Sequence, residues 1–141
     1  MKRIRSEKGA ALIEAAVTVP IILLISVGIF EFGRAYQTQQ VLVNASREGA
    51  RIAVLEGTTD ADIRARVNNY LKGGGLTTVA DAQIAVSRTV ALTASSTASS
   101  VEINYPFQFM VLNPVVRLIA PGDTKTGAPI TMKAATLMRN E

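Results

Sequence analysis

The chain contains no cysteine and no histidine among its 141 residues. The first absence removes disulfides and thiol chemistry. The two together remove zinc sites of the Cys/His type and imidazole acid–base catalysis. Charge is sparse as well, with Asp, Glu, Lys and Arg supplying 18% of the residues. The net charge of +4 is not gathered into a run suited to a phosphate backbone. In the first nine residues Lys2, Arg3, Arg5 and Lys8 stand against Glu7 alone, whereas beyond Glu31 eleven Lys/Arg are interleaved with eight Asp/Glu. The basic character belongs largely to the start of the chain, and no nucleic-acid partner is expected. No nucleophile–base pair or carboxylate dyad stands out. Gly73-Gly74-Gly75 has no following G-K-[ST] and no preceding strand, so it does not read as a phosphate loop. The sequence is therefore not expected to be an enzyme, and no metal or cofactor is expected.

What the sequence does have is apolar surface. Hydrophobic residues make up 48% of the chain, and the excess sits at one end. Ala10 to Phe30 is twenty-one residues with one charge, Glu14. As a helix this run is ~30 Å long, enough to cross a bilayer core. Pro20, Thr18 and Ser26 are compatible with a spanning helix. The four basic residues before it place the N-terminus in the cytoplasm and everything after Glu31 on the far side, with membrane lipid as one partner. Glu31 and Arg34 mark the outer interface, with Phe30, Phe32 and Tyr36 as interfacial aromatics. Two other readings share this start. One is a secretory signal peptide, but the apolar run exceeds the usual ~7–15 residues and "SVGIFEFGR" stays apolar across the candidate cleavage site. The other is a plain signal anchor that is never cut.

Glu14 needs an explanation, because a carboxylate in a spanning helix is costly. It lies close to the cytoplasmic edge, so reaching back to the headgroups is one answer. A sharper answer follows if the chain is cut between Gly9 and Ala10. The new α-amino group is then a cation at the start of the apolar helix, and Glu14 is its fifth residue. The amine of one subunit set against Glu14 of the next would neutralise two charges that lipid disfavours. The pair would also fix the axial register of neighbouring helices.

The basic leader, Lys8-Gly9 and the following "AALIE" resemble a type IV prepilin signal, which a membrane aspartyl prepilin peptidase cuts after the glycine. The longer stretch "ALIEAAVTVPIILLISVGIFEFGRAYQTQQVLVNASREGARIAVLEG" resembles the TadE-like proteins, minor pseudopilins of the tight-adherence (Flp) pilus. The resemblance covers about residues 6–57. It rests on Glu14, on Pro20, on Glu31-Phe32-Gly33-Arg34 with Tyr36, and on Asn44-Ala45-Ser46-Arg47-Glu48-Gly49-Ala50-Arg51. Ala15 stands where the Flp major pilin usually has an aromatic, and the chain is far longer than those small pilins. Both points favour the TadE-like branch. The resemblance implies a pilin-like fold and a single-pass protein of the inner membrane with a periplasmic head. It also implies leader removal, and a role in building a Flp-type adherence pilus with other pilins, pseudopilins and the assembly machinery. Gly9 and Ala10 would flank the cut and Glu14 would serve assembly. Glu31, Phe32, Gly33, Arg34, Asn44, Arg47, Glu48, Gly49 and Arg51 would form a family-motif surface. The alternative is an unprocessed single-pass envelope protein whose head is a structural or interaction module.

Past the membrane the helical period continues. Ala35, Thr38, Leu42, Ala45, Gly49 and Ile52 make one stripe, so a single helix is expected from about Ala10 to about Leu55. The Ala and Gly of "NASREGAR" are expected to face the core of the head, with the charges solvated; a docking surface is the alternative. A second helix is expected after the capping-box spacing of Thr59 and Asp62, with Ile63, Val67, Tyr70 and Leu71 on its apolar face and the three glycines ending it. The period then becomes two. Ile84, Val86, Val90 and Leu92 predict one strand, with Arg88 the exception on its apolar face. Val101, Ile103, Tyr105, Phe107 and Phe109 predict a second, and Ile130, Met132, Ala134 and Met138 a third. Pro106 marks an edge or a strand end. "TASSTASS" is expected to be the hairpin connection. Asn113-Pro114 is expected to start a short helix whose Val115, Val116, Leu118 and Ile119 close the open end of the core, with a contact patch for another pseudopilin or the bilayer as the alternative. The expectation is an α+β fold, a long helix followed by a second helix and a small antiparallel sheet. It divides into a leader (1–9), a transmembrane half-helix (10–31), an extramembrane half-helix (32–56) and a head (57–141).

Overall fold

The unbroken helical period at the start of the chain becomes one helix, α1 (Arg3–Ala53), in a computed structural model that describes residues 3–76, 79–80, 83–93, 96–119 and 128–140. The helix starts earlier than the expected Ala10, because Gly9 alone, at about 1 kcal/mol, does not interrupt a helix propagating from both sides. After it come α2 (Asp60–Gly73), β1 (Ile84–Thr93), β2 (Ser96–Phe107), α3 (Leu112–Ile119) and β3 (Ile130–Arg139). The strands form an antiparallel sheet in the order β1-β2-β3. The layout is α+β: one long helix, a second helix and a three-stranded sheet among the described residues.

The chain divides into two compact units, Arg34–Gln108 with Ala128–Glu141, and Met1–Gly33 with Phe109–Gly127. The first holds the core. Leu42, Ala45, Ala50 and Ala53 of α1 meet Ile63, Val67 and Leu71 of α2 and Ile84, Val101, Ile103 and Ala134 of the sheet. Close approach requires small side chains. A Cβ on Gly49 would lie 2.6 Å from Val67 Cγ2 and 3.2 Å from Val101 Cγ1, so α1 is wedged between α2 and β2 at that glycine.

Helix α2 begins and ends as its sequence predicts. Asp62 N–H donates to Thr59 Oγ1 (3.2 Å), and Thr59 N–H donates to Asp62 Oδ2 (2.9 Å), closing the capping box. The Thr59 hydroxyl, which donates to Asp62 Oδ2 (2.6 Å), and then the Thr59 N–H hold the Asp62 carboxyl below its ordinary range. At the other end Gly75 N–H bonds to Lys72 O and Leu76 N–H to Leu71 O. Gly75 supplies the left-handed residue (φ +83°) that this closing motif needs. Tyr70, expected on the apolar face, is exposed.

The sheet departs from the sequence reading in two places. First, β2 starts at Ser96, so most of "TASSTASS" is strand rather than connection. Ala98 and Ser99 are buried; Ser99 Oγ donates to Asn140 Oδ1 (2.8 Å) and lies 3.4 Å from Ala53 O. Small polar residues look like a loop in sequence, yet here they occupy the central strand, where covered hydroxyls find partners. Asn140 completes the arrangement: its Nδ2 donates to Arg88 O and Thr97 Oγ1 (both 3.0 Å), and its backbone N–H to Thr97 O. Second, the pairing of β1 with β2 shifts by one residue between Ser87 and Val90. Arg88 lies within that irregularity. Its Nε donates to Asp60 Oδ1 (2.8 Å) and its Nη2 to Thr58 O, which explains a cation on the apolar side of the strand. Pro106 lies one residue from the end of β2, beyond the reach of β1, whose pairing stops at Ile84 with Ile103.

Candidate functional site

Three stretches of α1 carry the features singled out in the sequence. The first is its apolar half. Leu12, Ile13, Val17, Val19, every residue from Ile21 to Ile25, Ile29 and Phe30 are each more than half exposed. No part of the most apolar window is buried inside the protein, and the helix is long and apolar enough to cross a membrane. Ser26 Oγ donates back to Ile22 O (2.8 Å), so this hydroxyl costs little away from water. Glu14 is exposed on this apolar half. Gly9 and Ala10 both lie inside the helix, and a Cβ on Gly9 would meet no atom within 4 Å. Packing within the chain gives no reason for a glycine there.

The second stretch is Glu31-Phe32-Gly33-Arg34. Glu31 is fully buried, and Val111 N–H donates to its Oε1. The ring of Phe32 meets that of Phe109 edge-on, with centroids 6.1 Å apart and planes at 68°. Both contacts belong to the unit that includes Phe109–Gly127. In the other unit Arg34 sets its guanidinium 4.6 Å from the centre of the Phe107 ring and donates to Gln108 O. Phe109, expected in the alternation of the second strand, lies beyond the end of β2 at Phe107 and pairs instead with Phe32. Arg34, Gln37, Val41, Gly75, Tyr105 and Phe107 are among the residues lining a cleft of about 640 Å³.

The third stretch is Asn44 to Arg51. Ala45, Ser46, Gly49 and Ala50 face inward, and Asn44, Arg47 and Arg51 outward. Ser46 Oγ lies 2.7 Å from Thr136 Oγ1 and donates to Val43 O (2.9 Å), which joins α1 to β3. Glu48 is the charged hinge of the group. Arg51 reaches it from the same helix (Nε to Oε2, 3.1 Å) and Arg66 from α2 (Nη2 to Oε1, 2.7 Å). The hydrogen bonds from Arg51 and then Arg66 lower its pKa from 4.5 to about 2. The inward Ala and Gly agree with the core-facing expectation. The charges are not merely solvated, since Glu48 ties α1 to α2.

Of the nine motif residues expected on a surface, Phe32, Gly33, Asn44, Arg47 and Arg51 are exposed, Arg34 and Glu48 are partly covered, and Glu31 and Gly49 are buried. Glu31 is covered because it receives a backbone N–H, and Gly49 because two side chains close on it. Sequence reasoning missed Arg66, Ser46 and Phe109 as partners. The spacing of Arg66 within α2, one residue from Val67, was the available signal for the first.

The family model of the TadE-like proteins matches residues 9–51. The chain carries a TadE-like segment. That segment starts at Gly9 and ends at Arg51, so it contains the apolar half of α1 and both motif stretches. No curated protein and no solved structure matches the chain. Within the TadE-like segment the two motifs play different structural parts: one receives the segment around residues 107–111, and the other packs α1 against α2 and the sheet.

Proposed function

We propose that the protein is a membrane-anchored minor pseudopilin that takes part in assembly of a Flp-type adherence pilus after prepilin peptidase removes residues 1–9. The TadE-like match over residues 9–51 carries this reading, because it opens on the glycine before the expected cut and spans the exposed apolar half of α1. A match of this kind associates the chain with the Tad pilus and its components. In this reading residues 10–31 cross the inner membrane with the N-terminus in the cytoplasm. Residues 32–56 and 57–141 lie in the periplasm or outside the cell. The open surroundings of Gly9 fit a glycine kept for an enzyme that must approach the backbone, rather than for packing. Glu14 is then the acid that receives the free amine of a neighbouring subunit. Lipid, other pilins or pseudopilins, the assembly machinery and the peptidase are the partners.

The test is the mature N-terminus, sequenced from cells with and without the peptidase. The expected outcome is Ala10 as first residue in the one and Met1 in the other. Met1 in both would leave an unprocessed envelope anchor whose head is an interaction module. A second prediction concerns Glu14→Ala, which should still insert in the membrane but no longer co-purify with its pilin partners. Undiminished piliation in that strain would remove the pairing role.

A further inference from the structure

The apolar residues Val115, Val116, Leu118 and Ile119 of α3 are expected to close the open end of the core. Of those whose side chains are described, Val115, Val116 and Leu118, none belongs to the core cluster, while the side chain of Ile119 lies outside the described residues. Leu118 is 84% exposed, and Val115, Val116, Val111 and Met110 are exposed as well. Val111, Val115 and Leu118 follow one another at helical spacing, with Leu112 and Val116 beside them, while Asn113 and Arg117 make a narrow polar stripe. An exposed face of this kind calls for a cover.

Three observations within one compact unit bear on what covers it. The unit consists of Met1–Gly33 and Phe109–Gly127, so α3 shares it with the apolar half of α1. The start of α3 is fixed at a known level along α1: Val111 N–H is bonded to Glu31, the first charged residue after the apolar run. Phe109 packs on Phe32 at the same level. The start of α3 therefore lies at the level of Phe32 and close along α1 to Ile29 and Phe30, all exposed. We propose that α3 is an interfacial membrane helix, with Val111, Val115 and Leu118 embedded in the headgroup–acyl boundary beside the point where α1 leaves the bilayer. The proposal rests on the reading of residues 10–31 as membrane-spanning. Its physical sense is that a short amphipathic helix tethered at the interface enters lipid without an added cost of bringing it there. Asn113 and Arg117 are of the chemistry that headgroup phosphates accept.

The chain has no tryptophan, so a single introduced indole reports on one place. The full chain carrying Leu118→Trp is reconstituted into phosphatidylethanolamine–phosphatidylglycerol vesicles, a fraction of whose lipids are brominated on the acyl chain near the carbonyls. Ile29→Trp marks the spanning helix and Leu137→Trp, exposed on β3, marks the sheet. The expected result is blue-shifted emission and strong loss of intensity to brominated lipid for Leu118→Trp and Ile29→Trp, with neither for Leu137→Trp. Val115→Trp should repeat the Leu118 result and guards against a local perturbation. Quenching of Ile29→Trp without quenching at positions 115 and 118 would overturn the interfacial helix while leaving the anchor in place. A blue shift at 118 without quenching means that protein covers the face, and overturns it equally. No quenching at any of the positions would overturn the membrane reading and this proposal together.

Discussion

Residues 10–30 and residues 34–53 belong to the same helix and obey opposite rules. In the first stretch large aliphatic side chains point outward in every direction, and none of the most apolar window is covered by the protein. In the second, large apolar residues are few, Leu42 is wholly buried, and alanine, serine and glycine line the inward face. Helix geometry is shared, so the difference lies in what surrounds it. A helix facing lipid gains by spreading bulk around its circumference, and gains little from small residues unless another helix approaches. A helix facing a sheet needs small residues where backbones converge, and gains its stability from a few fully covered side chains.

Paired substitutions turn that contrast into measurements. The largest effect is expected at Leu42. Leu42→Ala should destabilise the sheet-containing unit by about 2–5 kcal/mol, read by hydrogen exchange of the β2 amides in detergent-solubilised full chain. Leu23→Ala, on the exposed apolar half, should leave those amides unchanged. A smaller loss is expected when volume is added. Gly49→Ala forces Val67 and Val101 to give way and should cost about 1–3 kcal/mol, less the gain of replacing a helical glycine. Gly28→Ala, with no atom within 4 Å of the new methyl, should be neutral or stabilising. Equal responses at the two glycines would erase the distinction between the halves.

The smallest effect concerns acid. The Glu48 pKa, lowered to about 2 by Arg51 and Arg66, means that folding favours its ionised form. The stability it adds is fully present above its ordinary value near 4.5 and is lost as pH falls from there toward 2. Because both arginines are more than half exposed, the contribution is expected at about 1 kcal/mol or less. In Glu48→Gln the acid loss of stability over that range should be shallower, and the amides of α2 should show it first.

Periodicity made much of the fold legible. The period of 3.6 gave α1 and α2 with their faces, the period of two gave three strands, and the Thr59–Asp62 and glycine signals placed both ends of α2. Three features were hidden for separate physical reasons. The first residues of β2 are small and polar, and only their position in a central strand explains why they are extended and covered. The valines and leucines of α3 carry the same pattern whether the cover is protein or lipid, so the sequence could not decide between core and membrane. Glu31 looked like an interfacial charge, because its partner is the backbone of Val111, and a backbone N–H leaves no trace in a sequence. The candidate site was legible as a set of motifs. What each motif touches was not.

The strand hairpin contains one more lesson. "TASSTASS" repeats itself after four residues, and a slip by an even number keeps every side chain on its own face of the sheet. A slip of that size would put Thr97 and Ser99 in the places of Val101 and Ile103, so the buried pair downstream holds the alignment of the strand. Asn140 adds a clasp: its Nδ2 donates to Arg88 O and Thr97 Oγ1, and its Oδ1 accepts from Ser99 Oγ. A single polar side chain just past β3 thus buttons β1 and β2 to the edge it leaves, and its loss should loosen that corner of the sheet while the register stays.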